Sequence, residues 1–295
     1  MTGDLRDLAH PMLRGLRGDD GWAHTGVGLR LRRIAHPRPI GIEYHGPLCG
    51  IVIQGTKEVV TGDRRFRITA GDAIIVSHHL PAVSRVVDGS RARPYVAAAL
   101  AVDLTLLGAL HHELGGAVPG GQAAGAIETT AAGPDLAGAF ARLLALAARP
   151  VEARVLAPLI VREIHLRLLL LPQGAVLRAL LSRDSRASRI SRVIAHLRRD
   201  STRPHAIPEL ARIAGMGPSS FHAHFKTVTG TTPLGFQKEL RLMRARDLLL
   251  DPESSVASVA FAVGYESPTQ FSREYSRRFG SSPRDHREVA EAAPG

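Results

Sequence analysis

The sequence predicts an α+β chain of two domains: an N-terminal β-barrel with flanking helices, then an all-α domain built on two helix-turn-helix units. Three observations predict it. Short apolar runs separated by glycine turns fill the first hundred residues. Helical periodicity takes over after Asp103. From Ile207 to Pro283 the chain says nearly the same thing twice, about fifty residues apart. At 295 residues, 44% of them apolar, there is material for two separate cores.

Val27, Leu29 and Leu31 alternate with Gly28, Arg30 and Arg32, the pattern of a half-buried strand. Further strands are expected at Cys49–Gln54, Lys57–Thr61, Phe66–Ile68, Ala73–Val76, Ala82–Val87 and Tyr95–Ala101, with Gly62-Asp63 and Gly71-Asp72 supplying turns. Many short strands with regular turn signals argue a closed or nearly closed barrel, whose mouth would hold a small ligand. Leu104–His112, Pro134–Ala148 and Ala153–Leu171 carry helical stripes that could cover the barrel or pair two subunits. A Gly/Ala-rich loop spans Gly115–Gly125. Residues 1–172 are taken as the first domain, 173–187 as a linker and 188–291 as the second domain.

The first repeat opens with Ile207, Leu210, Ala211 and Ala214 at i, i+3, i+4 and i+7, one face of a short helix. Gly215 ends it, Pro218 starts a second helix, and Phe221, Phe225 and Val228 form that helix's buried stripe up to Gly230. The second repeat copies this with Val256, Val259, Ala260 and Val263, a turn at Gly264, an N-cap at Ser267, and Phe271, Tyr275 and Phe279 before Gly280. Helix, glycine turn, helix is the unit that places a helix in the DNA major groove. Between the repeats, Leu234–Leu250 reads as one helix, a strut of roughly 25 Å at 1.5 Å per residue. It suits two reading helices about one DNA turn apart.

The faces opposite the stripes are the candidate readers: Ser219, His222, Ala223 and Lys226 in the first unit, Thr269, Gln270, Arg273 and Arg277 in the second. Arginine pairs with guanine and glutamine with adenine in the major groove, while Lys226 and Arg277 suit phosphate. Each face taken singly is an ordinary solvated helix surface. Their duplication at matching positions favours a shared job.

The run Gly-Tyr-Glu-Ser-Pro-Thr-Gln-Phe-Ser-Arg-Glu-Tyr (264–275), the Phe-Gly-Ser-Ser-Pro after it (279–283), Thr-Gly-Thr-Thr-Pro (229–233) and Arg241-Leu242 resemble the AraC/XylS family of bacterial transcription regulators. The resemblance covers residues 189–288. It implies a seven-helix DNA-binding domain, opened by Ser188–Arg199 and closed by Pro283–Ala290. Carried over by position, it assigns base reading to Ser219, His222, Ala223, Thr269, Gln270 and Arg273. Ala223 departs from the family's usual long polar residue, and its methyl can meet only a thymine methyl. Pro47–Lys57, Gly62-Asp63, Ala70-Gly-Asp72, Leu80-Pro81 and Pro94-Tyr95 are similar to the N-terminal domain of one subgroup, which implies a cupin-like barrel that senses a small-molecule effector. The implied partners are promoter DNA, that effector, RNA polymerase and a second copy of the chain.

Composition sets bounds without locating the function. The net charge of +11 is spread over both halves and does not single out a DNA-binding end. No run of eighteen apolar residues predicts a membrane span, the N-terminus lacks an apolar signal core, and a lone cysteine fits a reducing cytoplasm. His78-His79 are expected on a strand, pointing to opposite faces, and so cannot share one ion. His111-His112-Glu113 lacks the second histidine of a zincin, because Gly116 stands there. No metal or other cofactor and no enzyme activity are therefore expected. Cys49 is either a buried small hydrophobe or a thiol facing the barrel cavity. Arg32, Glu43, His45, Cys49 and Gln54 are the candidate effector contacts. Two rivals stay open: a metal-dependent cupin enzyme with a regulatory helical domain, and a DNA binder without sequence preference.

Overall fold

The computed structural model describes residues 2–14, 20–115, 117–119, 121, 125–182, 184–251 and 253–286; the side chains of 2–4, 20 and 39–45 lie outside the described set. The chain divides into two compact units, Met1–Ser191 and Arg192–Gly295.

The first unit runs α1 (Thr2–Leu13), β1 (Asp20–His24), β2 (Leu29–Ile34), β3 (Arg38–His45), β4 (Leu48–Gln54), β5 (Thr56–Thr61), β6 (Arg64–Thr69), β7 (Asp72–Val76), β8 (Leu80–Asp88) and β9 (Tyr95–Ala101). It continues through α2 (Leu104–Glu113), β10 (Ile127–Ala131), α3 (Gly133–Ala145), α4 (Pro150–Leu170) and α5 (Ala175–Leu181). The strands make two antiparallel sheets, one ordered β1-β2-β9-β4-β7-β10 and the other β3-β8-β5-β6. The barrel, expected closed or nearly closed, is not a closed ring and is made of these two sheets. The second sheet approaches the first through β6, which lies beside β4 and β7.

Strand alternation gives the first sheet two faces. Leu29, Leu31, Cys49, Ile51, Ala73, Ile75, Ala98 and Leu100 share one core with Leu5 and Ala9 of α1, Leu107 of α2, Phe140 and Leu143 of α3 and Ile164 of α4. Each such Leu, Ile or Phe stabilises the fold by about 1.5–3 kcal/mol through burial. Asp103 caps α2, its Oδ1 accepting from the backbone N–H of Thr105 (2.8 Å) and Leu106 (3.1 Å).

Several elements escaped the sequence reading. α1 sends Leu5, Ala9 and Leu13 into the core. β10 pairs with β7, placing Ile127 opposite Val76. The segment expected as a linker contains α5, whose Ala175, Val176 and Leu177 are buried. His78 and His79 lie in the turn between β7 and β8, not on a strand. His78 is committed to hydrogen bonds, with Ser77 Oγ at 2.8 Å from Nδ1 and the Ala187 carbonyl at 3.0 Å from Nε2. Burial lowers its pKa to about 4.

α6 (Arg186–Arg199) crosses the division between the units. The second unit continues with α7 (Ile207–Ala214), α8 (Pro218–Thr229), α9 (Pro233–Leu248), α10 (Val256–Ala262) and α11 (Pro268–Phe279). A closing helix starts at Pro283, and its expected end at 287–290 falls outside the described residues. Gly215 caps α7 at φ +62°, and Gly230 and Gly280 cap α8 and α11, each at φ +76°. Phe221, Phe225 and Phe236 stack edge-on at 5.6 and 5.5 Å between centroids and form the core behind α8. Behind α11, Val259, Ala260, Val263, Tyr265, Phe271 and Tyr275 join Leu242, Ala245 and Leu249 of α9. Val228, expected in the buried stripe, is only partly covered, and Thr229 is buried instead.

Candidate nucleic-acid interface

Both second helices of the repeats carry their buried stripe on one side and an open polar side opposite. Ser219, His222, Ala223 and Lys226 are exposed on α8, and Thr269, Gln270, Arg273 and Arg277 are exposed on α11. Pro218 and Pro268 occupy first-turn positions, and Ser267 Oγ accepts from the Gln270 N–H at 3.3 Å. These contacts fix where each exposed face begins.

α11 is tied to the strut. Glu274 is buried, and it accepts from Tyr265 Oη at 2.9 Å and from Lys238 Nζ of α9 at 2.6 Å. Burial pushes the Glu274 carboxyl up, but the bonds from Lys238, Tyr265 and Gln270 outweigh it and hold the pKa below the usual range. Gln270 reaches Glu274 only at 3.4 Å, a weak bond. Arg278 donates to Glu239 of α9 at 2.5 Å, a second tie between α11 and α9.

A node missed by the sequence reading sits behind both units. Arg241 of α9 donates to the carbonyls of Ser201 (2.7 Å), Thr202 (2.6 Å) and Gly264 (3.0 Å). One guanidinium thus joins the connection before α7, the strut and the turn before α11. Gln237 adds a bond to the Ser201 carbonyl at 3.0 Å and another to that of Arg203. The only sequence signal for this role was the resemblance at Arg241-Leu242.

The candidate effector residues scatter. Arg32 pairs in register with Ala97, on the sheet face away from the helices, and lies 5.1 Å over the Trp22 ring alongside Arg30. Gly50, Ile74, Ala97 and Ala99 continue that face. Cys49 points the other way, into the helix-side core at 0% exposure, where burial pushes its thiol up to about 12. Gln54 leaves this face as well. It donates to the Pro94 carbonyl at 2.7 Å and lines a cavity of about 320 Å³ with Arg6, Arg33 and Arg93. Glu43 and His45 pair in register with Ala82 and Leu80, and their side chains lie outside the described residues.

A two-sheet β domain followed by paired helix-turn-helix units defines the class of two-domain transcription regulators. Residues 27–176, half of the chain, match the AraC-type transcriptional regulator N-terminus, and residues 210–288 match a helix-turn-helix domain. The chain belongs to the AraC-type family of transcriptional regulators. It is 31% identical over 163 residues to the virulence regulon transcriptional activator VirF of Yersinia enterocolitica, covering 55% of this chain and 59% of that one. It is 29% identical over 129 residues to the regulator ExsA of Pseudomonas aeruginosa, covering 44% of this chain and 46% of that one. The matches thus span about half the length of these relatives. Among solved structures, unsaturated fatty acid-bound ToxT of Vibrio cholerae aligns over 95% of this chain and 100% of its own, with a TM-score of 0.58 and 9% identity, a likeness of fold.

Proposed function

We propose that this chain binds promoter DNA sequence-specifically, with α8 and α11 entering neighbouring major grooves. The observation that carries the reading is the pair of exposed polar faces at matching positions, one on each helix, with α8 and α11 both packed against α9. α9 has 16 residues, about 24 Å at 1.5 Å per residue. That length suits reading helices one DNA turn apart. Arg273 and Gln270 serve as base readers in the second unit, His222 and Ser219 in the first, and Lys226 and Arg277 hold phosphate. Ala223 offers only a methyl contact. The test is selection of bound sequences from a random pool by the full chain at physiological salt. A motif with two separated parts is expected, and Arg273→Ala should relax one base pair of one part. Uniform weakening on every sequence would make Arg273 a phosphate contact only.

Control by a small amphipathic carboxylate in the first unit fits the same reading. The sheet face with Gly50, Ile74, Ala97 and Ala99 offers small apolar walls, and Arg30 and Arg32 stand at its edge beside Trp22. The fold relative ToxT is described with an unsaturated fatty acid bound. Trp22 is the chain's single tryptophan, so its fluorescence should respond to oleate. Arg32→Gln should weaken that response at least tenfold, and an unchanged titration would remove Arg32 from the site.

A homodimer through α4 completes the reading. Val151, Val155 and Leu159 fall at i, i+4 and i+8 and are 81%, 68% and 59% exposed, an apolar stripe that no described residue covers. The cytoplasm is the place of action, RNA polymerase the downstream partner, and no catalysis is assigned to the chain.

A further inference from the structure

Three side chains of the second unit converge from separate elements: His196 from α6, His205 from the connection after it, and Glu209 from α7. Their ligand atoms all lie within 4.8 Å of one another. His196 Nε2 is 3.7 Å from Glu209 Oε1, and His205 Nδ1 is 3.8 Å from Glu209 Oε2. Both separations are too long for hydrogen bonds. Among the described residues neither ring nitrogen has a hydrogen-bond partner, and both are buried. The His205 side chain is 0% exposed.

The other edge of His205 fixes its chemistry. Nε2 lies 2.7 Å from the Asp200 carbonyl, and a carbonyl only accepts, so Nε2 carries the proton. In the neutral ring Nδ1 is then a bare lone pair aimed at a carboxylate. Two acceptors facing each other, the His205 ring fully buried and the Glu209 carboxylate partly exposed, leave a gap of the size a cation fills. An imidazole that donates its far N–H to a backbone carbonyl while its near nitrogen points at acidic oxygen is the usual outer support of a metal ligand. Two ligands at about 2.0–2.1 Å on a tetrahedral ion stand about 3.3 Å apart, so the His–Glu gaps of 3.7 and 3.8 Å close with shifts of about half an ångström, while the full set, spread over up to 4.8 Å, needs a side-chain turn as well.

We propose that His196, His205 and Glu209 bind a single zinc ion, with water at the remaining position. Two imidazoles and one carboxylate select zinc over magnesium or calcium, which prefer oxygen alone. Arg203 holds Glu209 Oε1 at 2.8 Å, but its Nε already lies 3.1 Å from Asp200 Oδ2, and the side chain is 49% exposed. On metal binding it turns to Asp200. The ion then clamps the opening helix, the connection and α7 together, and so stiffens the base of the first helix-turn-helix unit. The binding itself stands whether or not α8 reads DNA.

The test uses the full chain stripped with a chelator. Zinc is titrated against a competing chromophoric chelator, with melting followed in parallel. Wild type should take up one zinc that His205→Gln binds at least tenfold more weakly, and its melting temperature should rise with zinc, fall back with EDTA and ignore magnesium. Glu209→Gln keeps a polar group for Arg203 and serves if His205→Gln unfolds; it too should lose at least tenfold. Equal zinc binding by wild type and both variants would place the ion on other histidines and overturn the proposal. So would a wild-type melt unmoved by zinc.

Discussion

Gly264→Ala probes how α11 is set. Gly264 sits in the turn between α10 and α11 at φ +86°, a backbone conformation that costs an L-residue about 1–2 kcal/mol. A Cβ there would lie 2.1 Å from the Thr202 carbonyl oxygen and 3.2 Å from Arg241 Cζ. That oxygen is held by Arg241 Nη2 at 2.6 Å, and Arg241 Nη1 also donates to the Gly264 carbonyl at 3.0 Å. The methyl must therefore break the node, and charged hydrogen bonds are worth about 1.5–3 kcal/mol each. Conformational cost plus the loss of one such bond gives about 2.5–5 kcal/mol. Gly280→Ala is the control. Its φ of +76° is similar, but among the described residues nothing lies within 4 Å of its Cβ, so the loss should be only the conformational part. Trp22 lies in the first unit, so the assay is helical circular dichroism during urea unfolding of the full chain. Equal losses for the two alanines, or under 2 kcal/mol for Gly264→Ala, would refute the node.

Three further outcomes follow from the same contacts. The His78 pKa is lowered from 6.5 to about 4 in the fold by burial, so the unfolded chain takes up its proton first as pH falls. Its stabilisation is complete above pH 6.5 and declines from there towards pH 4, by about 2 kcal/mol at pH 5; urea unfolding of His78→Gln should lack that slope, and a parallel profile would exclude His78. Phe225→Ala empties a fully buried site between Phe221 and Phe236 and should cost about 3–5 kcal/mol, with an unchanged melting temperature contradicting the packing. Cys49, with its thiol pushed up to about 12, should resist iodoacetamide in the native chain and react only after unfolding; rapid native labelling would put the thiol at an accessible surface.

The helical unit was legible because its signals are local. Gly215, Gly230 and Gly280 end helices by a backbone property that any reader of sequence can use, and the phenylalanine stripes repeat at helical spacing. The first unit was legible strand by strand and less so as a whole. β10 carries Ile-Glu-Thr-Thr-Ala, with no alternation, and gains its place by pairing with β7. Cys49 was open between two faces because β4 is buried on both, and only the register decides which side it takes. The histidine pair with Glu209 left no motif. Its members come from α6, a connection and α7, and only the folded path through Asp200–Pro204 brings them together. Arg241 was similar: its three partners are carbonyls, and no sequence pattern marks a carbonyl.

Hydroxyl-radical footprinting of the full chain on its selected site tests the central claim most directly. Two protected stretches centred about one helical turn apart on the same DNA face are expected. His222→Ala should thin one stretch and Arg273→Ala the other. Protection confined to a single turn, or spread evenly with no favoured position, would contradict the account.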